Sequence, residues 1–350
     1  MYPRRVVAEI RVDLFSDTVS LPTDGMRRAI AEAEVGDEQK FEDPTVNLLQ
    51  ERVAELLAAE AALYMPSGTM CNEAAFAVHC RPGDEIIADH NAHPVTAEAG
   101  GPAVLSGAMV RGVVGDRGIF TADQVREAIR PPLRLSPRSR VVSVENTSNY
   151  GGGRCWPIER VREVTAVARE HGLAAHMDGA RLLNAVVATG TSAAEFAEPF
   201  DSAWIDFSKG LGAPVGAVLA GSRDFIEEAW VWKQRLGGAM RQAGIVAAAC
   251  VYALDHHVER LADDHANARV LAEGLADLPG VALDHSTVET NIVVFELEGM
   301  PAEMFAGRML EEHGVRVSTL GPGTVRAVTH LDVDREGVEA ALGGAKAILR

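Results

Sequence analysis

Short apolar runs alternate with segments whose apolar residues recur at helical spacing, and this alternation continues along most of the chain. Asp43-Pro44 opens one such segment, with aspartate as helix cap and proline at the first helical position. Val46, Leu49, Val53, Leu56 and Leu57 then fall on one face. Ala61–Met65 predicts a strand, Pro66-Ser67-Gly68-Thr69 a turn, and the residues up to Cys80 a second helix. Pro82-Gly83 turns the chain into a strand over Glu85–Asp89. Further strands are predicted over Val141–Glu145, Leu173–Asp178, Ser202–Phe207 and Val215–Ala220, the last two close enough to pair, with a helix over Pro157–His171. Arg223 to about Leu278 reads as helical, broken near Gly237-Gly238. A strand over Asn291–Leu297, a helix over Pro301–His313, strands near Val315–Ser318 and Val325–His330, and a last helix from Asp334 complete the pattern.

Strands alternating with helices predict an α/β fold around a mainly parallel sheet. The expected organisation is an N-terminal arm over residues 1–25, a large domain over 26–255, and a connecting helix with a small α+β domain over 256–350.

Composition narrows the partners. The 350 residues are 47% apolar and 24% charged, which excludes long disorder and a disulfide miniprotein. Fifty acidic residues against 33 basic ones leave a net charge of −17, which repels phosphate backbones and anionic lipid. Neither nucleic acid nor a membrane is expected as partner. Runs such as Gly244–Leu254 are too short to span a bilayer, and the first residues lack the apolar stretch of a secretion signal. Four scattered cysteines with no CxxC pair signal neither a metal site nor a disulfide framework. A soluble, reduced, cytoplasmic protein is expected.

Only four of the 33 basic residues are lysines, so chemistry that needs a primary amine has few places to reside. Lys209 follows an apolar strand and precedes glycines that allow close approach. Partial desolvation there would favour the neutral amine that condenses with an aldehyde. Lys233 and Lys346, within helical patterns, read as surface lysines. The glycines after Lys209 depart from a dinucleotide fingerprint, having G-x-G-x-x-x-G spacing with a proline inside.

Asp178 ends another strand, and in open parallel sheets strand ends converge on one crevice. Lysine, buried acid and a phosphate cradle are together what pyridoxal phosphate needs. Asp178 alone also reads as a helix cap. Ser67, Gly68 and Thr69 join a strand to a helix N-terminus, where free N–H groups favour an anion. Arg241 is either a second phosphate ligand or a surface arginine. His93, after the strand Glu85–Asp89, is placed to stack on a pyridine ring and relay protons, or is simply solvated.

Several strings occur together in order: Asp13-Leu-Phe-Ser-Asp-Thr-Val19, Asp43-Pro-Thr-Val-Asn47, Pro66-Ser-Gly-Thr69, Glu98-Ala-Gly-Gly101, Glu145-Asn-Thr147, His176-Met-Asp-Gly-Ala-Arg181, Ser208-Lys-Gly-Leu-Gly-Ala-Pro-Val-Gly216 and Met240-Arg-Gln242. In this order they resemble the low-specificity L-threonine aldolases, of the β-eliminating lyase group of fold-type I pyridoxal-phosphate enzymes. The resemblance covers essentially the whole chain. It implies an aspartate-aminotransferase-like large domain, with Lys209 carrying the cofactor, Asp178 facing its ring nitrogen and His93 stacked on the ring. Gly68, Thr69 and Arg241 match phosphate ligands, the arginine from a neighbouring subunit. Ser16, Arg181 and Arg326 match the clamp on the substrate carboxylate. A homo-oligomer, dimer or tetramer, with shared active sites is implied, acting on a β-hydroxy-α-amino acid to release glycine and an aldehyde. β-Elimination, transamination or racemisation, and a non-catalytic cofactor-binding scaffold, are the alternatives.

The chain departs from the family's pattern around the substrate side chain. Ser148 stands where histidine is usual, Lys40-Phe41 where tyrosine-glycine is usual, and Phe15 where arginine is usual; Pro94 and Ala97 replace polar and aromatic residues. Retained cofactor residues with altered pocket residues imply the same bond cleavage with a changed β-substituent preference or stereochemical tolerance, with His93, directly or through water, as candidate base.

Overall fold

The computed structural model describes residues 9–350; residues 1–8, which begin the expected N-terminal arm and the stretch inspected for a secretion signal, lie outside the described residues. In chain order the strands are β1 (Val12–Asp13), β2 (Ala61–Met65), β3 (Asp84–Asp89), β4 (Met109–Val113), β5 (Arg138–Glu145), β6 (Ala174–Gly179), β7 (Ser202–Asp206), β8 (Ala217–Gly221), β9 (Val281–Ala282), β10 (Ile292–Leu297), β11 (Val315–Arg316), β12 (Ser318–Thr319) and β13 (Thr324–Val328).

Seven strands form the central sheet in the order β2-β8-β7-β6-β5-β3-β4. From β7 to β4 every pair is parallel, while β8 runs against both its neighbours. β2, reversed relative to β8, therefore points the same way as the parallel strands. Buried strands such as β2 and β8 read as continuous apolar runs because helices cover the sheet on each side. The helix Pro44–Leu56 starts as expected, with Asp43 Oδ1 accepting from Val46 N at 3.0 Å, and buries Val46, Leu49 and Val53 in the main core.

The helical stretch after Arg223 is three helices, Arg223–Arg235, Gly244–His256 and Leu261–Ala276, the first break falling at the expected glycines. A second core holds Leu271, Leu275, Phe295, Phe305, Val325 and Val338, around an antiparallel sheet ordered β12-β13-β10-β9. Here the N-terminal segment joins the C-terminal one: β1 pairs in parallel with β11, and Leu14 enters this second core. Among the described residues no helix is long and apolar enough to cross a membrane.

Lys233 departs from its surface reading. It is 1% exposed, its Nζ donates to Glu38 at 2.9 Å, and the rings of Tyr64 and Trp230 lie within 6 Å. The helix Arg223–Arg235 turns this side chain under the segment 38–40, where a carboxylate compensates its burial.

Candidate active site

β2, β3, β5, β6 and β7 end at the same edge of the sheet, where they open a cleft of about 380 Å³. It is lined by Ser16, Ser67, Gly68, Thr69, His93, Asp178, Arg181, Lys209 and Arg326: every candidate from the sequence except Arg241.

Lys209 lies three residues past the end of β7. Its Nζ donates to Asp206, whose Oδ1 also accepts from Ser208 N at 2.9 Å and Ser208 Oγ at 2.8 Å. The sequence points to a partly desolvated amine beside a cleft; the side chain is 17% exposed, and the structure adds an anionic partner. Trp204 and Asp206 are two residues apart on one strand and share a face, so the face that brings the Trp204 ring to 5.8 Å from Nζ also brings the carboxylate.

Asp178 is buried. Its Oδ1 accepts from Ala180 N at 3.0 Å and its Oδ2 from Asn72 Nδ2 at 2.8 Å. The next helix begins at Leu182 with no side-chain cap, so the helix-cap reading of Asp178 does not hold. Burial pushes its carboxyl above the ordinary range, against the pull of His93 and Asn72.

Asn72 joins the parts of the site. Its Nδ2 donates to Asp178 Oδ2 and to Glu98 Oε1 at 2.7 Å; its Oδ1 accepts from Trp204 Nε1 at 2.7 Å and lies 3.0 Å from His176 Nε2. Those partners fix which end of the amide faces which neighbour. His176 Nδ1 in turn meets Ser202 Oγ at 2.8 Å, and burial lowers this imidazole to about 3, which keeps it neutral.

His93 Nδ1 lies 2.7 Å from Glu98 Oε1, and its backbone N–H donates to Glu145 Oε2 at 2.7 Å. Burial opposes its protonation, but Glu98, Asp178 and Glu145 outweigh that and raise its pKa. Glu145, a second acid on the cleft wall, is pushed up to about 7 by burial and the charge of Asp178. Asn72, Glu98, Glu145 and Asp206 received no role from the sequence. Asn72 carried a signal, being four residues after Gly68 on the same helical face.

The turn Ser67–Thr69 joins β2 to a helix N-terminus. Ser67 caps the helix Gly68–His79, its Oγ accepting from Met70 N at 3.2 Å, and the first N–H groups face the cleft. A side chain at position 68 would run into the Trp204 ring, so glycine keeps this end open.

On the opposite wall Arg181 is held by Asp17 through two bonds, and Arg326 contacts Asn149 Oδ1 at 2.8 Å, Ser318 Oγ at 3.1 Å and Phe15 O at 3.3 Å. Burial and the neighbouring Arg181 hold the Arg326 guanidinium below its usual range, a strain that a carboxylate between them would relieve. Ser16 Oγ accepts from Thr18 N and closes the turn beside them.

Arg241 is 62% exposed on its side chain, paired with Asp37 at 3.0 Å, outside the cleft. Ser148 also lies outside it, its Oγ accepting from Gly151 N at 3.2 Å within a turn. Phe15, Ala97 and Tyr150 are at the cleft wall; Pro94, Lys40 and Phe41 are not.

The family profile described as Beta-eliminating lyase matches residues 13–298. The chain belongs to the β-eliminating lyase family. The Low specificity L-threonine aldolase of Escherichia coli (strain K12) is 41% identical over 326 residues, 93% of this chain and 95% of that protein. Low-specificity L-threonine aldolase 1 of Arabidopsis thaliana is 38% identical over 338 residues, 95% of this chain and 94% of that one. The fold matches the solved threonine aldolase of Leishmania major with a TM-score of 0.83 at 20% identity, covering 97% of this chain and 100% of that one.

In this β-eliminating lyase the residues present fit pyridoxal phosphate. Asp178 is a buried acid whose direct hydrogen-bond partners are neutral, and a cationic ring nitrogen would complete it. The helix N-terminus at Gly68 and Thr69 would take the phosphate, and Lys209 would supply the amine.

Proposed function

We infer that the protein is a pyridoxal-phosphate-dependent carbon–carbon lyase, cleaving L-threonine, L-allo-threonine or a related β-hydroxy-α-amino acid to glycine and an aldehyde. The observation that carries this is the convergence of Lys209, Asp178, His93, Arg181 and Arg326 in one cleft. When bound, the cofactor supplies an aldehyde for the amine and a ring that accepts the electron pair of a broken bond.

This chain's residues do the rest. Arg326 and the free edge of Arg181 bind the substrate carboxylate, fixing the orientation of the bonds at Cα. Asp178, buried and held by Asn72, would face the ring nitrogen of the bound cofactor and favour its protonated form. Asp206 holds the Lys209 amine in the cleft, where it would hold the cofactor. His93, its Nδ1 turned to Glu98, presents Nε2 to the cleft and takes the β-hydroxyl proton. The Cα–Cβ bond then breaks, the aldehyde leaves, and a proton returned to Cα yields glycine.

A homo-oligomer, dimer or tetramer, is part of this reading. Arg241 is exposed, and Phe41, Val35, Leu48 and Ile245 are exposed apolar residues on the two segments that meet beside it. A second copy covering that face would bury them and bring a cation towards a neighbouring cradle. Four buried free cysteines suit a reducing, cytoplasmic setting.

The test is glycine release from L-threonine, L-allo-threonine and phenylserine by cofactor-loaded protein, with the matching aldehyde. Release of a keto acid with ammonia, or conversion of the cofactor to its amine form, would replace this reading with elimination or transamination.

A further inference from the structure

A second acid lies behind His93. Glu73 follows Asn72 on the helix Gly68–His79, is 3% exposed, and lies within hydrogen-bond reach of Glu98. Glu98 Oε1 already accepts from His93 and Asn72. The other three oxygens, Glu98 Oε2 and both of Glu73, are buried with no donor among the described residues. The turn Glu98–Gly101 closes over them, and its backbone comes so near that a side chain at position 101 would collide with the Glu73 carboxyl.

Two ionised carboxylates cannot share such a place: each loses hydration, and each repels the other. Three orphaned acceptors with no donor are the mark of a missing hydrogen. One proton resolves the arrangement. We propose that Glu73 is a neutral carboxylic acid in the working enzyme and donates its hydrogen to Glu98 Oε2, leaving Glu98 as the single anion that holds His93 and Asn72 in place.

Burial, then the hydrogen bond and charge of Glu98, push Glu73 up to about 9, so it stays protonated through neutral pH. His93, from the turn after β3, contacts Glu98 directly, Asp178 from β6 is linked to Glu98 through Asn72, and Asp178 and Glu145 from β5 both act on His93. Through Asn72 the Glu98 anion also meets the amide that donates to Asp178. Glu73 is thus a positioning residue. It touches neither substrate nor cofactor, but it sets the charge of the group that orients the imidazole. The inference rests on the aldolase reading only for the consequence of that orientation, not for the proton itself.

The experiment is infrared spectroscopy of the cofactor-loaded protein at neutral pH, wild type minus Glu73→Gln. The expected result is the carbonyl stretch of an undissociated carboxylic acid, lost in the variant. Glutamine keeps a neutral donor against Glu98, so the acidic limb of the pH profile of kcat for glycine release stays where it is. Glu73→Leu removes the donor, and the acidic limb moves up by about one pH unit because the Glu98–His93 pair then binds its proton more tightly. Absence of the carboxylic-acid band in wild type, or an equal shift in the glutamine variant, overturns the proposal. The band requires no turnover, so its presence without glycine release would sink the aldolase reading alone.

Discussion

Asp17 and Arg181 meet in a buried ion pair, with Arg181 Nε donating to Asp17 Oδ2 at 2.8 Å and Nη2 to Oδ1 at 2.6 Å. The pair ties the segment after β1 to the end of β6 and fixes the guanidinium at the cleft wall. Removing one partner leaves the other charge buried and uncompensated, so Asp17→Asn should cost about 3–5 kcal/mol in denaturant unfolding. Burial alone would raise the Asp17 carboxyl; Arg181 outweighs it and holds it well below the usual range. A depressed folded value means that this stabilisation is complete above the unfolded carboxyl's value of about 3.9, and fades as the pH falls below it. Arg181→Lys, which lacks the planar fork, should raise KM for the amino acid.

His93→Gln should lower kcat for glycine release by about 10²–10⁴-fold while the protein keeps the cofactor's visible absorbance, since Lys209, Asp178 and the cradle remain. Loss of colour along with activity would make His93 a binding group instead.

Burial lowers His79 to about 4, and its Nε2 meets Ser202 Oγ at 2.8 Å. The unfolded chain binds this proton near pH 6.5 and the folded chain does not. Folding stability therefore falls, through this residue, as the pH drops from 6.5 towards 4, by up to about 3 kcal/mol. His79→Gln removes that dependence, and unfolding curves of the variant should flatten over this interval relative to wild type.

Phe15 is at the cleft wall with its ring 5.1 Å from the Arg316 guanidinium, which is itself paired with Asp13. With Tyr150 it offers apolar surface to a β-substituent. Phe15→Ala should reduce kcat/KM for phenylserine about ten-fold more than for threonine, measured by glycine release from each.

What could be read from the chain followed locality. The helix from Asp43 was legible because its cap, its proline and its apolar face are contiguous, and Lys209 and Asp178 because strand ends in a parallel sheet converge. β1 is two residues long and acquires its partner, β11, only through the fold. β4 is an edge strand whose apolar run is broken by Arg111 and Gly112, so it carried no clear signal. Glu73 reads as an ordinary polar residue, and Asn72 shows only its helical face, because the partners that distinguish them, Glu98 and Asp178, lie far away in sequence. Lys233 misled for the same reason: its counter-charge, Glu38, lies 195 positions earlier.

The burial of Lys233 also bears on handling the protein. Lys40 and Lys346 are the exposed lysines, at widely separated positions, while Lys209 is recessed in the cleft. Attachment to an amine-reactive support would engage few lysine anchors, and the recessed Lys209, paired with Asp206, would be reached last.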